Sequence, residues 1–70
     1  MKTIVVLTLL LYHPSDLENP RSLEMFPIQE ELGSLETRWN ACLIARDELL
    51  GLYFEGLIPK VNCDKIERRD

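Results

Sequence analysis

Between residues 28 and 53 the apolar positions Ile28, Leu32, Leu35, Trp39, Cys42, Leu49 and Tyr53 follow one another in alternating steps of four and three, with Arg46 in the one seam position that is not apolar. Such a heptad stripe predicts an amphipathic α-helix that must pack against a second helix, its own or a partner's. Pro27 is placed to open it, and Glu30 and Glu31 suit the positive end of its dipole. Gly56 can take a left-handed cap and Pro59 follows as a stop, so the expected helix runs from about 27 to 55. Gly33-Ser34 is its weak point: Gly33 can end a short first helix and Ser34 can cap a second.

The stripe widens toward its C-terminal half, where nearly every residue from Ala41 to Ala45 and from Leu49 to Phe54 is apolar and Arg46, Asp47 and Glu48 mark the one polar side. A short helix packed over that half would leave Ile28, Leu32, Leu35 and Trp39 uncovered, as a surface for a partner. Trp39 is expected to anchor such an interface. Arg46, costly on a seam unless paired, is expected to set register or partner choice.

Ahead of the stripe lies MKTIVVLTLLLY, a run with two readings. As a secretory signal it has Lys2 and an apolar stretch from Ile4 to Leu11, but no small-residue cleavage site before Tyr12, His13 and Pro14. As a core element it is an apolar helix or a strand: Thr3, Ile4, Val5, Val6 and Thr8 favour the strand, and Leu7, Leu9, Leu10 and Leu11 the helix. The helix is preferred, because a strand needs a pairing partner and the other candidate run, Leu57 to Asn62, contains Pro59, which would confine it to an edge. Ten or so apolar residues are too few to span a membrane, which takes about twenty. Residues 13–26 carry Pro14, Pro20 and, just beyond, Pro27, and read as a packed loop held down by Leu17, Leu23, Met25 and Phe26. Residues 56–70 read as a solvated tail.

The pattern therefore predicts a single mainly α domain, a small helical hairpin or bundle built around one long amphipathic helix. The competing picture is an α+β fold with a short N-terminal strand. Length sharpens the expectation. Seventy residues bury only about 60% of the surface an unfolded chain exposes, and domains of this size usually need a disulfide, a metal or a partner to be stable. Completion by self-association or in a larger complex follows.

Composition narrows the function classes. With 46% hydrophobic and 29% charged residues the chain is globular rather than disordered. Its net charge is -4, and from residue 15 to 36 Asp16, Glu18, Glu24, Glu30, Glu31 and Glu36 are opposed only by Arg21, a distribution that repels nucleic acid. Lys60, Lys65, Arg68 and Arg69 are interleaved with Asp64, Glu67 and Asp70 and form no basic patch. One histidine, His13, and two distant cysteines are too few for a metal site, and His13 beside Asp16 lacks the oriented partners that catalysis needs. No enzyme, cofactor or metal chemistry is expected.

The leading expectation is a protein-protein interaction module, a regulator, assembly factor or accessory subunit, that presents Ile28, Leu32, Leu35, Trp39, Cys42, Arg46, Leu49 and Tyr53 to itself or to a larger complex in the cytoplasm or another intracellular compartment. The alternative is a secreted peptide, cut after residues 12 to 15 and closed by a Cys42–Cys63 disulfide.

Overall fold

The computed structural model describes residues 2–69. Among these, three strands, β1 (Lys2–Tyr12), β2 (Ser22–Pro27) and β3 (Ile58–Arg68), form one antiparallel sheet in the order β2-β1-β3, and a single helix, α1 (Leu35–Leu50), packs on one face. The expected mainly α fold and its coiled coil are thus overturned: the chain is a β-rich two-layer unit with one helix, near the α+β alternative but with an eleven-residue N-terminal strand.

The reason lies in β1. It is the central strand, with β2 on one side from Val6 to Leu11 and β3 on the other along its whole length; its odd-numbered side chains lie under α1, and its even-numbered ones lie between the side chains of β2 and β3 on the uncovered face. It supplies four of the six buried apolar residues found among the described residues, Val5, Val6, Leu7 and Leu9; Cys42 and Val61 complete the set. Leucines that suit a helix in isolation are held in a strand by pairing on both edges, and β propensity is largely such packing.

The edge strands carry their own signatures. Val5 and Leu11 turn their carbonyls toward the β2 side, where the N–H groups of Ile28 and Arg21 donate to them. By the alternation of an antiparallel ladder, the even-numbered residues of β1 then bond to β3, and Pro59, Val61, Cys63, Lys65 and Glu67 turn their backbone groups to the free edge. Pro59, which has no N–H, sits where no bond within the sheet is lost; Pro27, paired with Val6, does the same on β2.

The long helix expected over 27–55 is shorter at both ends. Glu30–Leu32 form one 3-10 turn, Gly33 ends it at a φ of 134°, and Ser34 caps α1 by accepting a hydrogen bond from the Thr37 N–H at 3.2 Å. That break is where Gly33-Ser34 predicts it. At the other end α1 stops at Gly51, and Gly56, at a φ of 86°, belongs to a separate turn leading into β3. The residues expected as a packed loop contain β2, and those expected as a tail form β3.

Alternation decides which strands the helix covers. On its side of the sheet lie Val5, Leu7, Leu9 and Leu11 of β1 with Val61 and Cys63 of β3, and α1 packs over these two strands. β2 offers that side Ser22 and Glu24, with Phe26 as its only apolar contribution, and is left largely open. Cys42, fully buried, is joined to Cys63 and staples the middle of α1 to β3. Arg38 fixes the start of the helix, its Nη1 donating to the Thr3 carbonyl at 2.9 Å and its Nε to the Gly33 carbonyl at 3.2 Å.

Candidate partner-binding surfaces

The heptad residues are brought together, but toward the chain's own sheet. Leu35, Trp39, Cys42 and Leu49 pack with the core, and Ile28 joins them from the end of β2. A stripe that needs a second helix in a coiled coil is satisfied here by a β-sheet. Leu32 and Tyr53 are not part of it: Leu32 stands exposed on the 3-10 turn, and Tyr53, past the helix end, is 84% exposed. Arg46 lies half-buried on the flank of α1, its Nη2 3.4 Å from Asp47 Oδ1. Trp39 is half-buried, with the Lys65 ammonium 4.8 Å from its ring centroid, a cation-π contact between helix and β3.

Among the described residues, other surfaces also remain unpartnered. One is the reverse face of the sheet, opposite the helix, over which none of the described elements packs. Ile4, Val6, Thr8, Leu10 and Tyr12 of β1 point there, flanked by Leu23, Met25 and Pro27 of β2 and by Ile58, Lys60, Asn62, Asp64, Ile66 and Arg68 of β3. Leu23 is 58% and Met25 54% exposed. The sequence shows these residues but not their arrangement, because Leu23 and Met25 gain a common face with Leu10 only once β2 pairs with β1.

A second surface is a groove of about 390 Å³ along the side of α1 where the helix leaves β2 uncovered. Leu7, Phe26, Ile28, Ala45, Leu49 and Leu52 line it, with Glu48 as its one charged residue. The third is the free edge of β3, eleven residues long. Ser22, Glu24 and the polar pattern of β2 explain the groove; the edge follows from strand order.

The polar side chains belong to turns and caps. His13 Nδ1 accepts from the Ser15 N–H at 3.1 Å and lies 2.6 Å from Ser15 Oγ, while Asp16 Oδ1 accepts from the N–H groups of Glu18 and Asn19. Asp16 is thus engaged with the backbone ahead of it and not with the imidazole. Among the described residues no group of three or more metal-ligating side chains is present, and no helix is long and apolar enough to cross a membrane. No family model, curated protein or solved structure matches this chain.

Proposed function

We propose that this chain is a small protein-protein interaction module whose binding surface is its unpartnered sheet, not the heptad face of residues 28–53. The observation that carries the reading is unburied apolar area. The folded chain exposes 5224 Å², against about 4,500 Å² for a compact monomer of its mass. Leu23, Met25, Ile58 and Ile66 stand exposed on the reverse face, and Phe26 on the other face where α1 leaves β2 open. Patches of that kind mark interaction sites in soluble proteins. The role of regulator, assembly factor or accessory subunit rests on the same ground, since a unit this small contributes surface more readily than chemistry.

The Cys42–Cys63 bridge favours an oxidising environment over the cytoplasm, because cytosolic thiols are kept reduced. It does not favour the cleaved peptide: a product cut after residues 12 to 15 would lack β1, and with it most of the core.

The test compares the parent with a Leu23→Glu, Met25→Glu double variant, two exposed positions whose replacement leaves the core intact. Both are immobilised and challenged with extract from the native source. Proteins retained by the parent and lost by the folded variant support the reading; identical retained sets from the two overturn it.

A further inference from the structure

The free edge of β3 is self-complementary in an antiparallel register that pairs it from Ile58 to Ile66, and we propose that two copies pair through it into a continuous six-stranded sheet. The inference rests on the interaction-module reading and names one partner, a second copy of this chain. The charges along the strand select the register. On the reverse face β3 carries Ile58, Lys60, Asn62, Asp64 and Ile66 at every second position. Placing a two-fold axis at Asn62 sets Ile58 opposite Ile66 of the second copy, Lys60 opposite its Asp64, and Asn62 opposite its Asn62. Every one of these side chains then meets a suitable neighbour.

Other registers set unlike groups together or pair fewer residues. Opposed residues share a face, and the backbone groups free at this edge belong to odd-numbered residues, so the axis moves only in whole residues along the strand. Centred on Val61 it puts Ile58 against Asp64. Centred on Cys63 it puts Lys60 against Ile66 and Arg68 against Ile58. Centred on Asp64 it opposes the two Asp64 carboxylates and sets Lys60 against Arg68. Centred on Lys60 it opposes two ammonium groups. Centred on Ile66 it sets Asp64 against Arg68 and Lys65 against Glu67, but only the five residues from Asp64 to Arg68 of the strand then pair, against the nine from Ile58 to Ile66 about Asn62. Lysines and a proline on an edge strand ordinarily block pairing; here they leave the register about Asn62 as the longest that is complementary.

The backbone agrees. In the complementary register Val61 and Cys63 exchange hydrogen bonds with Cys63 and Val61 of the second copy, and the Lys65 N–H donates to the opposing Pro59 carbonyl, so the missing Pro59 N–H is the one bond lost on each side. Lys60 and Asp64 fall at non-hydrogen-bonded positions, where side chains across a ladder approach most closely.

The helix layer fits as well. Because α1 lies over β1 and β3, strands about 4.8 Å apart bring the two helix axes to about 10 Å, the separation of packed helices. Trp39, on the β3 side as its contact with Lys65 shows, begins a stripe with Leu43, Arg46 and Leu50. Leu50 is 47% exposed. The Cys42–Cys63 bridge lies beside the axis at Asn62, so the two Leu43 side chains become nearest neighbours.

Sedimentation equilibrium of the intact, oxidised protein at tens of micromolar tests the pairing. The parent is expected as a dimer. Lys60→Asp, which sets a carboxylate opposite Asp64 at both ends of the ladder, should weaken it by about tenfold or more, and adding Asp64→Lys should restore the affinity to within about threefold of the parent. Lys60 and Asp64 face Leu10 and Val6 within one copy, so no intramolecular pair explains such a rescue. Should Lys60→Asp fail to fold, Asp64→Lys alone opposes two lysines and serves equally. A monomeric parent, or a dimer indifferent to both single changes, overturns the edge pairing. A dimer that survives Lys60→Asp and is lost in the Leu23→Glu, Met25→Glu variant overturns it too, while leaving the interaction-module reading in place.

Discussion

Leu7 and Leu32 are both leucines in apolar contexts, and they are expected to behave oppositely. Leu7 is 3% exposed between α1 and the sheet, and Leu7→Ala should cost about 2 to 5 kcal/mol in urea unfolding of the oxidised protein. Leu32, a member of the heptad stripe, stands on the 3-10 turn in solvent, and Leu32→Ala should change stability by no more than about 0.5 kcal/mol. Equal losses would restore the heptad as a packing unit. Ser34 is a third case, in which capping chemistry alone sets the expectation. Its side chain accepts from the Thr37 N–H, and Ser34→Ala should cost about 1 kcal/mol by the same measurement.

Among the elements, β1 and the α1–β3 staple are the two on which the others depend. A synthetic chain lacking residues 1–12 is expected to show no cooperative thermal transition by circular dichroism, since both remaining strands lose their only neighbour in the order β2-β1-β3. A cooperative transition in that fragment would instead support the secreted, cleaved peptide. The bridge closes a loop with a sequence separation of 21 residues, which constrains the unfolded chain by about 3 kcal/mol. Replacing both Cys42 and Cys63 by Ala should lower the urea-unfolding free energy by about that amount, a large share for so small a core. Arg38 should then matter more, since its bond to the Thr3 carbonyl becomes the main polar tie between helix and sheet.

For the whole molecule, the controlling quantity is surface. A layer pair measuring 41 × 24 × 12 Å has one sheet face covered and one bare, and six buried apolar residues among those described form its interior. If pairing at β3 completes the unit, the melting temperature should rise with protein concentration, because association stabilises the folded state by mass action. Differential scanning calorimetry across a roughly hundredfold concentration range checks this. The rise should vanish in Lys60→Asp and return in the Lys60→Asp, Asp64→Lys double variant; a concentration-independent parent would remove association from the stability of the fold.

Local chemistry was legible in the sequence. The Gly33-Ser34 break, the restriction of a Pro59-containing strand to an edge, and an apolar stripe through Leu35, Trp39, Cys42 and Leu49 that needs a partner surface all follow from backbone sterics, capping and helical periodicity. What covers the stripe does not follow, since an apolar helix face fits a sheet as well as another helix. The state of residues 2–12 was equally open: a leucine- and valine-rich run has no intrinsic preference strong enough to decide it, and strand β1 exists because Ser22–Pro27 and Ile58–Arg68 pair with it from far along the chain. Those pairings also made the candidate surfaces. Leu10 meets Leu23, Cys42 meets Cys63, and the pattern from Ile58 to Ile66 becomes a face only when strand alternation turns every second residue the same way. The order of residues determines which apolar and charged groups need satisfying; contacts between distant segments, each too weak to form alone, determine which groups satisfy one another.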